Sequence, residues 1–271
     1  MPPVTVTLTD ALRREYERLF NTCSIRPERT ADIEGTIAKL SAARGRYEAA
    51  GAGAIPWFFV AVIHCMEAGL NFTRHLHNGD PLTARTVQVP RGRPRSGSPP
   101  FTWEVSAADA LSVRGLGRGT DWSLAGTLFQ IEAYNGWGYR RQHPQVLSPY
   151  LWSFSSHYTR GKYIADGTWS DTAVSKQCGA AVVLRRMAEK GLVSFKDQPT
   201  PTSGQPPLIT YSMKKPADPV VVQRALDLQA WLNTFPGVFV KLDGVPGEKT
   251  SDAFRKVTGR FLPGDPRARR A

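Results

Sequence analysis

From Ile55 to Glu67 the chain reads Ile-Pro-Trp-Phe-Phe-Val-Ala-Val-Ile-His-Cys-Met-Glu, its most apolar helical run. A helix that is apolar on nearly every face has to be enclosed by other elements, so the fold is organised around it. Pro56 suits the first helical position, where no backbone N–H is needed. Glu67 closes the run, just before a loop rich in Gly, Asn and Asp. A carboxylate at the end of a buried helix and facing a polar turn is desolvated, and desolvation raises its pKa. Such a group can hold a proton near neutral pH and donate it to a leaving group.

The rest of the composition sets bounds. A length of 271 residues allows one domain of ordinary size and a small appendage. A hydrophobic fraction of 41% with seven Trp supplies a real core and excludes disorder throughout. The net charge of +12 favours a polyanionic partner: nucleic acid, an anionic membrane surface or an acidic bacterial wall. No nucleic-acid motif accompanies the basic loop Arg91-Gly-Arg-Pro-Arg95, so nucleic acid is not expected. Cys23, Cys65 and Cys178 are too few and too scattered for a disulfide framework, and no paired spacing offers a zinc site. The thiols are expected to be reduced, two of them buried. The N-terminus lacks a basic region leading into an apolar one, and no stretch is long enough to span a bilayer. The expectation is a monomer made in the cytoplasm without a signal peptide and without stable membrane insertion, acting on the wall or periplasm after release.

The punctuation of the chain predicts a mainly α fold. Thr9-Asp10 caps an amphipathic helix. A second helix is expected over 30–50, ending at Gly51-Ala-Gly53, and then the central run to Glu67. Residues 71–100 carry Asn78-Gly79-Asp80-Pro81 and Thr86-Val-Gln-Val-Pro90, which read as a short β-hairpin and an exposed loop. Helices resume at Ser106–Leu111, at Asp121–Tyr134 and over 171–189. Residues 195–217 are proline-rich and read as a linker, with Leu208–Tyr211 a candidate strand. The expected division is a catalytic domain over 1–194, the linker, and a helical module over 218–264.

Four constellations could carry chemistry. Glu67, Asp80 and Thr86 run from a helix end into the expected hairpin. The plain alternative makes Glu67 a helix-end carboxylate paired with a residue such as Arg74, and Asp80 a turn residue before Pro81. Glu132-Ala-Tyr134-Asn135-Gly136-Trp137-Gly138-Tyr139 interleaves aromatics with Gly and Asn, which suits stacking on sugar faces and bonding to acetamido groups. Its bland reading is a helix cap over core aromatics. The stretch 148–167, with Tyr150 and Trp152, is a binding wall or a loop packed on itself. His64-x-x-Glu67 and His75-x-His77-x-x-Asp80 suggest a metal, but no HExxH or Cys pair supports one, so no metal or other cofactor is expected.

The C-terminal stretch reads Leu228-Gln229 … Leu232-Asn233 … Leu242-Asp243-Gly244-Val-Pro-Gly247-Glu-Lys-Thr250 … Phe254. This pattern closely resembles the small helical peptidoglycan-binding module found on many wall hydrolases, which implies wall-binding roles for Asp243, Gly247 and Thr250. The Glu67…Asp80…Thr86 order resembles that of phage-type lysozymes, with a longer first spacer here. The Tyr134-Asn135-Gly136 stretch looks like the helix end across the cleft in goose-type lysozymes and lytic transglycosylases. Together these resemblances imply a lysozyme-like endolysin cleaving the β-1,4 bond between N-acetylmuramic acid and N-acetylglucosamine of bacterial peptidoglycan. Glu67 would be the acid, Asp80 and Thr86 the groups steering water or steadying the cation, and Tyr134, Asn135, Trp137, Tyr139, Tyr150 and Trp152 the glycan contacts. The alternatives are a lytic transglycosylase using Glu67 alone, a metal-dependent wall peptidase or amidase, and a wall-binding protein without activity.

Overall fold

The computed structural model describes residues 6–165, 167–195, 209–235 and 237–269. Around the apolar run, α1 (Asp10–Thr22), α2 (Thr30–Ala42) and α3 (Arg44–Gly51) precede α4 (Trp57–Ala68). After it come α5 (Trp103–Val113), α6 (Leu124–Asn135), α7 (Gly138–Gln142) and α8 (Pro149–Trp152). The strands β1 (Lys162–Ala165) and β2 (Thr168–Ser170) follow, then α9 (Ala180–Glu189). The final unit holds α10 (Pro219–Leu232) and α11 (Glu248–Thr258). The protein is mainly α with one short hairpin, as its sequence leads one to expect.

Helix α4 is the axis of the larger core: every residue from Phe58 to His64 is buried, and α3, α6 and α9 pack around it. Local signals fix the ends of the helices. Thr9 caps α1 by accepting from the Leu12 N–H at 3.2 Å, and Gly69, in the left-handed region at φ 56°, stops α4 one residue past Ala68. Glu67 is thereby held in the last turn of a buried helix.

Three elements differ from expectation. The helix expected over 30–50 divides at Ala43, whose ψ of 9° leaves the helical region; α3 then turns to pack along α4 and α5. Gly45, just beyond, is a poor helix former and lowers the cost of the break. The loop over 71–100 contains no named strand, only a single antiparallel bridge between Arg74 and Pro81. Pro81, Pro90, Pro94, Pro99 and Pro100 each lack an N–H for a ladder, so strands cannot propagate there. The two paired strands instead lie at 162–165 and 168–170, where Tyr163 pairs with Trp169 and Lys162 with Ser170. The last large helix begins at Ala180 rather than near 171. At Gly179 the backbone passes so close to α8 that a Cβ would lie 2.2 Å from the Leu151 carbonyl oxygen.

A second, smaller core gathers Ile209, Ala225, Leu228, Leu232, Val238, Val240, Ala253 and Leu262. The two cores meet at a defined junction. Phe239 packs against the larger core, edge-on to Phe20 at 6.0 Å, and the fully buried Arg185 donates to Phe20 O and Val240 O while pairing with Glu189 at 3.1 Å. Most of the expected linker, including Leu208, lies outside the described residues; Ile209–Tyr211 forms no strand but joins the smaller unit, with Tyr211 N–H bonded to Pro263 O. Among the described residues, no helix is long and apolar enough to cross a membrane.

Candidate active site

The last turn of α4, the start of α8 and the end of α6 meet beside the hairpin. They enclose a groove of about 490 Å³, lined by Met66, Asn135, Tyr139, Tyr150, Tyr163 and Gln177 among others. Glu67 is half-buried and is not itself among the lining residues; its Oε1 accepts a 2.6 Å hydrogen bond from the hydroxyl of Tyr150, which forms part of the wall. Burial pushes the Glu67 carboxyl above the ordinary carboxylate range, against the opposing pulls of the Tyr150 hydroxyl and the Arg114 guanidinium. Burial and the Glu67 charge together push the Tyr150 phenol well up, so it stays a donor. Arg74, the partner suggested by sequence, is engaged elsewhere: it donates to Gly79 O at 2.8 Å.

Of the predicted glycan contacts, Asn135, Tyr139 and Tyr150 line this groove. The other three do not. Tyr134 is buried beneath the Arg114 guanidinium, 4.3 Å from its ring centre; Trp152 is a core residue; Trp137 packs on Phe129 at 5.0 Å. These are the packing roles their positions in and after apolar helices already allowed.

Asp80 and Thr86 are turned into their own loop and do not line the groove. Asp80, only 7% exposed, accepts through Oδ2 from Val87 N–H (2.8 Å), Gln88 N–H (3.1 Å) and Asn78 Nδ2 (3.0 Å). Burial works against its ionisation, but these donors outweigh burial and lower its pKa. The Thr86 hydroxyl donates to Pro90 O and accepts from Arg93 N–H at 2.9 Å. The two side chains substitute for the ladder that the prolines prevent. They hold the loop so that Val87 and Val89 stand exposed at its tip.

The histidines are also committed. His75 bonds Ser106 Oγ (2.7 Å) and Ala84 O (2.8 Å), His77 bonds Asp109 (2.8 Å), and His64 bonds the Tyr47 hydroxyl (3.1 Å). Burial pushes His64 down to about 4, which fits a neutral core imidazole. Among the described residues no group of His, Cys, Asp and Glu could hold a metal ion. Glu132 is spent on Arg140 (2.9 Å) and the Tyr16 hydroxyl; the pair does not line the groove but a separate concavity of about 370 Å³ that shares Tyr139 with it.

Gln142, Ser175 and Gln177 line the groove from outside the stretches singled out in the sequence. Gln177 donates to the Cys65 and Met66 carbonyls (both 3.1 Å), satisfying open groups at the end of α4. Tyr163 and Trp169 pair across the hairpin with rings 5.2 Å apart, Tyr163 also reaches Gln142, and Trp169 stacks on His143 at 3.5 Å. Tyr163 lies within the stretch 148–167 already read as a possible binding wall, whereas Trp169, which packs against it, lies beyond that stretch. In the smaller unit, Asp243 and Thr250 bind one buried side chain: Gln229 Nε2 donates to Asp243 Oδ1 (2.8 Å) and Thr250 Oγ1 (3.2 Å). Its Oε1 accepts from the Asp243 and Gly244 N–H groups, both at 3.0 Å. Asp243, Gly247 and Thr250 also line a shallow furrow of about 280 Å³. Compared with known proteins, the chain matches no family model, no curated protein and no solved structure.

Proposed function

We propose that the protein cleaves the glycan strand of bacterial peptidoglycan, with Glu67 as general acid. The observation that carries this is a carboxyl raised in pKa by burial and held one hydrogen bond behind the wall of an open aromatic groove. Protonated Glu67 would deliver its proton to the glycosidic oxygen between N-acetylmuramic acid and N-acetylglucosamine as an oxocarbenium-like state develops at the sugar carbon. Tyr150 orients the carboxyl, and Asn135, Tyr139 and Tyr163 supply amide and ring faces for the sugars. Hydrolysis then requires water at the vacated carbon. The smaller unit would hold the chain on the wall, and the +12 charge draws it to an anionic polymer.

A second reading has a specific basis. Asp80 and Thr86 are spent within their loop, and among the described residues no carboxylate lines the groove, leaving Glu67 one hydrogen bond behind its wall. A single carboxyl acting as acid and then as base is the arrangement of a lytic transglycosylase, which closes an anhydro ring instead of adding water. Incubation of the purified chain with sacculi, followed by mass spectrometry of the released fragments, tests both. Fragments cut at the muramic acid linkage support the proposal, and an added water separates hydrolysis from ring closure. Intact glycan strands after prolonged incubation would reject it.

A further inference from the structure

The junction between the two cores forms a second built cavity. The last turn of α9 (Arg186, Glu189, Lys190) faces the segment 237–241 and one side of α11, enclosing about 540 Å³. Lys249, Asp252, Ala253 and Lys256 project into it from α11 at the i, i+3, i+4, i+7 spacing of a single helix face. Ala188, Val238 and Phe239 make its apolar wall.

The charge there is one-sided. Five cations line the cavity against two carboxylates, Glu189 and Asp252. Both carboxylates are already neutralised: Glu189 by Arg185 (3.1 Å) and Arg186 (3.0 Å), Asp252 by Arg267 (2.8 Å). Arg186 and Lys190 in turn share Glu34, and Lys256 donates to Gly237 O at 2.9 Å. Lys241 lies 4.0 Å from Asp243, and Lys249 is exposed with no ion pair or hydrogen bond among the described residues. These last two ammonium groups also line the adjoining furrow beside Asp243 and Thr250. They stand where the two concavities meet, Lys241 held only by the long contact to Asp243 and Lys249 with its charge left for a ligand.

We propose that this junction binds a short peptide bearing at least two carboxylates, with Lys241 and Lys249 as the anion contacts. The volume falls within the ordinary range of ligand sites, and an apolar wall beside separate ammonium charges suits a peptide. A nucleic-acid backbone would call for an extended basic stripe instead. Arg185 and Phe239 join the two walls, so the site exists only in the docked chain. The inference rests on the wall-cleaving reading in one respect: the stem peptides of peptidoglycan carry such carboxylates and accompany the glycan that would occupy the groove.

The test is calorimetric titration of the full chain carrying Glu67→Gln, which removes turnover from the measurement. The probes are the synthetic tetrapeptide L-alanyl-D-γ-glutamyl-meso-diaminopimelyl-D-alanine, its fully amidated form, and a short single-stranded oligodeoxynucleotide. The expected result is saturable binding of the acidic peptide, weakened at least tenfold by amidation and by Lys241→Ala/Lys249→Ala, and weakening as salt rises. Thermal melts establish that the lysine variant remains folded, and Lys249→Glu alone should weaken binding further than Lys249→Ala. Absence of binding, equal binding of the amidated peptide, an unchanged affinity in the lysine variant, or preference for the oligonucleotide would each overturn the proposal. Failure of the glycan-cleaving reading shows separately, as no turnover of peptide-free glycan by the unmodified chain.

Discussion

The Tyr150 hydroxyl donates a 2.6 Å hydrogen bond to Glu67 Oε1, tying the last turn of α4 to the short helix α8. The bond favours the ionised carboxylate, whereas burial favours the acid, and burial prevails. Removing the bond therefore raises the Glu67 pKa further. Glu67 must carry its proton to act, so activity falls as pH rises through that pKa. In Tyr150→Phe the alkaline limb of the kcat/KM profile on soluble glycan should move to higher pH. A limb that stays in place, or moves toward acid, would show that Glu67 is not the titrating group.

The same shift sets a stability difference. A carboxyl whose pKa is higher folded than unfolded stabilises fully below the unfolded value and loses that contribution as pH rises through the folded value. Glu67→Gln keeps an oxygen for Tyr150 without the charge. Its melting temperature should match the unmodified chain near pH 3.5 and exceed it near pH 8, as read by circular dichroism. The opposite order would mean that the buried group is ionised at no cost.

Asp80 has the reverse sign: its lowered pKa contributes stability above the unfolded value, lost as pH falls through the folded one. Asp80→Ala strands the Val87 and Gln88 N–H groups. The expected cost is about 1–3 kcal/mol in urea unfolding, with glycan turnover reduced far less than by Glu67→Gln. A turnover loss as large as that of Glu67→Gln at unchanged stability would return Asp80 to the chemistry.

Arg185 is the charged member of the junction, 0% exposed and bonded to Phe20 O, Val240 O and Glu189. Arg185→Ala opens the space beneath Phe239 and removes one donor each from Glu189, Phe20 O and Val240 O, the two carbonyls keeping Cys23 N–H and Asn233 Nδ2. A loss of about 3–5 kcal/mol is expected from thermal or denaturant unfolding. A loss below about 1 kcal/mol would mean that the two units are tethered rather than packed.

The parts legible in the sequence are those set by local rules. The Thr9 cap, the apolar run ending at Glu67 and the helices on either side of the Asp243-Gly244 turn follow from spacing and capping alone. What was not legible depends on distant partners. Asp80 and Thr86 have the residue types of a catalytic pair, yet in a loop with this many prolines the backbone N–H groups at 87, 88 and 93 need acceptors, and these side chains are the nearest. Trp152 lies in an aromatic-rich stretch that resembles a binding wall, but the packing of α9 against α8 buries it. Tyr163 falls inside the stretch 148–167 read as a binding wall or a self-packed loop, but Trp169 lies beyond it, and a strand of three residues shows little periodicity. The junction cavity could not be read at all, since Arg186 and Lys249 are brought together only by docking.

The most direct test of the account is turnover of purified peptidoglycan by Glu67→Gln, compared with the unmodified chain at equal folded concentration. A lost general acid predicts a fall of roughly 10²–10⁴-fold in kcat while binding to sacculi is retained. Turnover within a few-fold of the unmodified chain, by a variant whose melting curve shows it folded, would contradict the assignment of Glu67 as the acid.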